Sequence, residues 1–183
     1  YAMPEITVLG NANTIADGSP TPALSNHTDF GTVNAGSGTV ARTFTIKNDG
    51  GSPLSVSDVS VSGTNAADFT VTASPASSVA ASGTTTFTIT FDPSAAGLRT
   101  ASVSIENDDV DENPYDFAIQ GTGLNTAPVI TEGTSASMTM SEDGSPTAFS
   151  LTLHASDVDN DTLTWSISTL ASHGTASASG IGT

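Results

Sequence analysis

Apolar side chains recur at every second position along most of this chain. Phe87, Ile89 and Phe91 alternate with Thr86, Thr88 and Thr90, and Ala101, Val103 and Ile105 alternate with Ser102 and Ser104. Phe44 and Ile46 stand among Thr43, Thr45 and Lys47, while Phe117 and Ile119 lead into Gly121-Thr122-Gly123, which reads as a turn. Further on, Phe149, Leu151, Leu153 and Ala155 share one parity and Leu163, Trp165 and Ile167 another. A period of two turns one side of a strand to a core and the other to water, so these segments predict half-buried antiparallel strands. Gly, Pro, Asn and Asp clusters end them at short intervals, as at 48–53 and Asp92-Pro93. No segment has a sustained 3.6-residue apolar stripe, and abundant Thr and Val suit pleated surfaces. The predicted class is all-β, an Ig-like antiparallel β-sandwich followed by a second, incomplete one.

The strand ending Ile119-Gln120-Gly121 closes the first unit, and Leu124-Asn125-Thr126-Ala127-Pro128 reads as a short linker. Residues 1–123 are thus one sandwich, 124–128 the linker, and 129–183 the N-terminal part of another. An Ig-like unit takes about 100 residues, so the second stops after three or four strands. Met138, Met140, Leu151, Leu153 and Trp165 would then form an uncovered apolar face, beside an open sheet edge that recruits a strand. Either a neighbouring copy completes the unit by strand donation, or it begins a longer repeat. Glu5-Ile6-Thr7-Val8-Leu9 is a candidate donor or, equally, the first strand of its own sandwich.

Charge narrows the partners. Of 183 residues only Arg42, Lys47 and Arg99 are basic, against 19 acidic ones, giving a net charge of −16. Nucleic-acid phosphates would meet a repulsive field, and metal cations are the natural partners. The absence of cysteine excludes disulfides, thiolate metal sites and Cys nucleophiles. No apolar run is long enough for membrane insertion of this segment. The three histidines are scattered, with His154 at outward parity, and no G-x-S-x-G elbow or dinucleotide loop occurs. No nucleophile, base and orienting group assemble from these motifs, so the chain is not expected to be an enzyme.

Two acidic stretches are candidate metal sites. Asp157-Val158-Asp159-Asn160-Asp161 sets three carboxylates at alternate positions, the hard oxygen donors that Ca²⁺ requires, although an acidic turn bonding its own backbone fits the same pattern. An EF-hand is excluded, because Thr162 and Ser168 replace its Gly and Glu. If the strand from Val129 to Met140 runs away from the linker and the next returns, Asp157 and Asp159 arrive beside Asn125. Glu142 then lies at the opposite pole, where it would serve a following junction, while Asp68 and Asp92 fall in loops at the linker pole and could complete the inter-domain site, although Asp92-Pro93 is also an ordinary turn former. At the far pole of the first sandwich, residues 107–113 gather Asp109, Asp111 and Glu112 with Asp108 and Asn113. That turn is either a second calcium site or an exposed, solvated loop that can be deleted without harm to the fold.

Residues 28–123 resemble the bacterial choice-of-anchor D domain, a Hydin-like, immunoglobulin-type module of large surface and secreted proteins. The resemblance rests on Asp29-Phe30-Gly31, residues 43–48, Ser62-Gly63-Thr64-Asn65-Ala66-Ala67-Asp68-Phe69, residues 87–93 and residues 117–123. It implies a structural module without catalytic activity, in proteins that reach the surface through C-terminal anchors, none of which is expected in this segment. Residues 125–183 resemble the start of a bacterial cadherin-like tandem repeat: Asn125-Thr126-Ala127-Pro128 matches its linker, Ser141-Glu142-Asp143-Gly144 the Glu ending its first strand, and Ala155-Ser156-Asp157-Val158-Asp159 its Ala-x-Asp-x-Asp element. The mid-repeat acidic motif and the closing strands of that family are missing. Together these imply a structural or adhesive segment of an extracellular, cell-surface or filament protein, rigidified by calcium at domain junctions. The alternative is a secreted glycan- or protein-binding module. Aromatic residues exposed on one face would favour the alternative, whereas most of the ten aromatics fall at core parity.

Overall fold

The computed structural model describes residues 3–135, 152–170, 172, 175, 177–178 and 181–182. It divides into two compact units between Asn125 and Thr126. The first is a two-sheet β-sandwich. One sheet contains β1 (Ile6–Gly10), β2 (Asn13–Ile15), β4 (Val40–Asn48), β6 (Phe69–Ala73) and β8 (Thr84–Phe91), in the order β2-β1-β4-β8-β6. The other contains β3 (Asp29–Asn34), β5 (Leu54–Ser62), β7 (Ser78–Val79), β9 (Gly97–Asn107) and β10 (Tyr115–Leu124), in the order β3-β10-β9-β5-β7.

The inward parity read from the sequence holds in the long strands. Phe44, Ile46, Phe87, Ile89, Phe91, Val103, Ile105, Phe117 and Ile119 are all buried in one core. Phe30, Phe69 and Phe91 pack at its centre with ring centroids 4.7 to 6.0 Å apart, and Phe44 stacks on Phe87 at 5.2 Å. Such pairs add specific geometry to the area they remove from water.

Two features differ from expectation, and a third matches one of two readings left open. First, β3 runs parallel to β10, pairing Asp29 with Gln120 and Asn34 with Leu124. The chain reaches this edge at Ser19, whose carbonyl accepts from Ala118 N–H, and follows β10 in one direction through Asn34. Secondly, Gly121-Thr122-Gly123 continues β10 and is no turn. Both glycines face inward, and a Cβ on Gly121 would lie 2.4 Å from the Phe91 ring, while one on Gly123 would lie 2.2 Å from the Ala95 carbonyl oxygen. Close approach of core and backbone is therefore what these glycines permit. Thirdly, β1 is held in its own sandwich, pairing with β4 from Ile6↔Asn48 to Gly10↔Phe44 and burying Ile6 and Val8. Of the two roles read for this segment, it fills that of first strand of its own sandwich.

In the second unit, β11 (Val129–Ile130) pairs antiparallel with β12 (Ala155–Ser156), and β13 (Leu163–Thr164) with β14 (Ile181–Gly182). Leu163 and Trp165 are half-buried and Ile167 is exposed, so the described residues cover the face expected to be core only in part. His154 lies at the surface, paired with Glu132. Met138, Met140, Glu142 and Leu151 lie outside the described residues. No helix among the described residues is long and apolar enough to cross a membrane.

Candidate functional site

The acidic turn of the second unit begins where β12 ends. Asp157 Oδ1 accepts the backbone N–H of Asp159 at 2.8 Å and that of Asp161 at 3.3 Å, and its carbonyl accepts from Asn160 N–H. Asn160 adopts a left-handed backbone with φ of 59°, which asparagine tolerates better than most residues. The alternating sequence is thereby curled, and one carboxylate oxygen from each of Asp157, Asp159 and Asp161 lies within 4.8 Å of the others. Asp159 Oδ2 also accepts from Thr126 N–H at 2.6 Å, tying the start of the unit to the turn.

Burial sets this turn apart from a solvated acidic loop. Asp157 is 7% and Asp159 8% exposed, yet Asp157 Oδ2, Asp159 Oδ1 and Thr126 Oγ1 are enclosed without a hydrogen-bond partner. Buried polar atoms are normally paired, and an isolated buried carboxylate is costly. All three basic side chains of the protein precede residue 126, so the second unit has no lysine or arginine to neutralise the turn. Oxygen-only donors with unused lone pairs and no internal cation fit a hard metal ion such as Ca²⁺. Asn125, read as a further ligand, is exposed and is the last residue of the first unit. Glu142 lies outside the described residues.

In the first sandwich the converging carboxylates are those of Glu5, Asp109 and Asp111, within 4.8 Å of one another. Glu5 was not legible as a member, because only the fold brings the residue before β1 to the 107–113 turn. Glu112 is not one of the three. Its Oε2 is enclosed without a partner, and burial, followed by the charges of Glu5, Asp109, Asp111 and Asp17, pushes its carboxyl above the ordinary value.

This turn is not the dispensable loop expected of it. Asp109 is buried and accepts Ile6 N–H at 2.8 Å, while Asp108 Oδ1 accepts Ser55 N–H at 2.7 Å. Asn107 donates to the carbonyls of Ile105 and Glu112 and accepts Asp109 N–H. Its side chains thus fasten β1 and β5, and buried bonds of this kind are expensive to lose. Asp68 is also committed elsewhere: it is 3% exposed, pairs with Arg99 Nε at 2.5 Å and accepts Ser94 N–H. Asp92 remains exposed.

The outer face of β9 and β10 carries a shallow groove of about 340 Å³ lined by Pro20, Pro22, Thr64, Thr100, Ser102 and Gln120, among others. It contains no aromatic side chain. Every aromatic described in the first unit is buried, which removes the feature that would have favoured a glycan platform.

Among solved structures, the chain is similar to a protein of unknown function from Porphyromonas gingivalis W83, at 16% identity over 66% of this chain and 46% of that one, with a TM-score of 0.45. It is similar to the secreted serine protease VesC from Vibrio cholerae, at 14% identity over 54% of this chain and 22% of that one, with a TM-score of 0.42. A third is the ASH/PapD-like domain of human CEP192, at 17% identity over 55% of this chain and 83% of the domain, with a TM-score of 0.38. The chain thus spans less than half the length of the Porphyromonas and Vibrio proteins. A comparison with curated protein sequences gives no match. The model of the HYDIN/CFA65/VesB-like, Ig-like domain matches residues 22–122, from the segment before β3 into β10, and leaves the second unit outside. That match takes in more than half of the chain and most of the two-sheet sandwich, and by it the chain belongs to the HYDIN/CFA65/VesB-like Ig-like domain family.

Proposed function

We propose that this chain is a structural segment of an extracellular bacterial surface or secreted protein, in which an Ig-like sandwich is followed by a unit whose acidic turn is held by calcium. The observation that carries the reading is the pair of buried aspartates, Asp157 and Asp159, each with an unpartnered oxygen in a unit without lysine or arginine. Calcium bound there would supply the positive charge and the oxygen-rich coordination that the turn's lone pairs call for. The residues themselves do the rest: Asp157 curls the turn through two backbone N–H groups, and Asp159 fastens Thr126 to it.

A site with three carboxylates on a short turn belongs with the weak calcium modules, whose dissociation constants of about 10⁻⁴–10⁻³ M suit the outside of a cell. An extracellular setting suits that affinity class, and a linker pinned at its second-unit end suits a rigid, adhesive or fibre-forming role. No catalytic step enters this reading. The groove on β9 and β10 supports the alternative binding module less well, since its floor is small hydroxyls and prolines without a stacking ring.

Calcium should raise the melting temperature of the transition belonging to the second unit. A ligand that binds only the folded form at a hundred times its dissociation constant stabilises by about 2.7 kcal/mol. Scans of the 183-residue chain in about 10 mM calcium, roughly ten to a hundred times such a dissociation constant and worth about 1.4–2.7 kcal/mol, and in chelator measure the shift. It should vanish in the Asp157→Asn, Asp159→Asn double variant and persist in Asp58→Asn, at the exposed β5 bulge. A transition indifferent to calcium overturns the reading.

A further inference from the structure

We infer that the hydroxyl of Thr126 is a ligand of the cation site on the Asp157–Asp161 turn, so that the site is complete within the second unit and does not draw on Asn125. The inference rests on the calcium reading above and adds a fourth oxygen donor to it. Thr126 N–H is 2.6 Å from Asp159 Oδ2, which anchors the residue against the turn. Its Oγ1 is enclosed and has no hydrogen-bond partner, in company with Asp157 Oδ2 and Asp159 Oδ1. A threonine hydroxyl can rotate to donate to almost any neighbouring acceptor. Two unpartnered carboxylate oxygens belong to the same turn, yet the hydroxyl bonds to neither. An enclosed, unpaired hydroxyl on a residue bonded to Asp159 is available to turn its lone pair to a cation shared with these carboxylates. Hard cations take neutral oxygens alongside carboxylates, and each oriented donor adds to affinity.

The test uses the full chain and terbium, a hard trivalent stand-in for calcium, excited through Trp165, the sole tryptophan. Trp165 is four residues from Asp161, which caps their separation at about 14 Å by chain reach. Titration of terbium, and its displacement by calcium, should give a saturable signal that the Asp157→Asn, Asp159→Asn double variant loses. Thr126→Val, which keeps the shape and removes the oxygen, should weaken binding at least about tenfold, the size carried by an oriented group at a metal site. Thr126→Ser should bind within about twofold of the unaltered chain, and Asn125→Ala likewise, on the same scale. If Thr126→Val binds as the unaltered chain does, or if Thr126→Ser loses as much as Thr126→Val, the ligand assignment is overturned while the calcium reading stands. Loss of binding in Asn125→Ala overturns the self-contained site. If the unaltered chain gives no saturable signal, or the double aspartate variant keeps it, both the assignment and the calcium reading fail.

Discussion

Replacing Asn48 by Asp should be the most damaging single substitution in the first sandwich, lowering its unfolding midpoint more than Asn48→Ala or Arg99→Met. Asn48 is fully buried at the end of β4, and its Nδ2 donates to the carbonyls of Ser52, Val79 and Ala80 at 2.8, 3.0 and 3.2 Å. Its Oδ1 accepts Gly50 N–H at 3.0 Å and Glu5 N–H at 3.3 Å. One side chain thus joins the entry to β1, the turn after β4 and the end of β7. A carboxylate there has no proton for three carbonyls and sets a charge against them away from water, a combination at the severe end of single substitutions, above about 4 kcal/mol. Asn48→Ala leaves the same groups unpaired without the charge and should cost about 3 kcal/mol. Urea unfolding followed by far-UV circular dichroism checks both, and midpoints near that of the unaltered chain would contradict this role.

Arg99→Met should have the next largest effect. Asp68 is 3% exposed, and its nearest cation is Arg99, bonded through Nε and turned to Ser94 Oγ through its second nitrogen. Removing the arginine strands a buried carboxylate, and breaking such a pair from one side costs about 3–5 kcal/mol. The value here belongs near the lower end, because the arginine side chain is 19% exposed and water softens the loss. The double variant Asp68→Leu, Arg99→Met should recover most of the stability, since a well-packed apolar pair often replaces a buried ion pair without loss. A double variant no more stable than Arg99→Met would show that the site does more than pair charges.

The fold was legible in the sequence where strands are long and buried on one face, as in β4, β8, β9 and β10. It was obscured where the period breaks. In β5, Leu54 and Val56 face the core, but a bulge between Val56 and Asp58 shifts parity, so that Val59 is the next buried residue. Strands of two or three residues, β2 and β7, are too short to display a period, and Gly121 and Gly123 carry the composition of a turn while serving as room for Phe91 and Ala95. At the acidic sites, spacing revealed Asp157, Asp159 and Asp161 because neighbours in sequence are neighbours in the turn. Glu5 and Thr126 were hidden for the opposite reason. Glu5 meets Asp109 only through the sandwich, and Thr126 meets Asp159 across 33 residues, one hydroxyl among many in a chain where Ser and Thr make up roughly three residues in ten. Asp68 and Asp109 show the converse: acidic residues in loops whose work is to hold backbone and arginine.

The central claim, that the second unit's acidic turn is held by calcium, meets its most direct test in hydrogen exchange of three amides. Asp159 and Asp161 N–H bond to Asp157 Oδ1, and Thr126 N–H bonds to Asp159 Oδ2. In chelator, repulsion among three carboxylates within 4.8 Å should let the turn open and these amides exchange quickly. In calcium they should slow by about a hundredfold, the factor set by a hundredfold excess over the dissociation constant, while amides in β8 and β9 keep their rates. Equal exchange at all three amides with and without calcium would contradict the account.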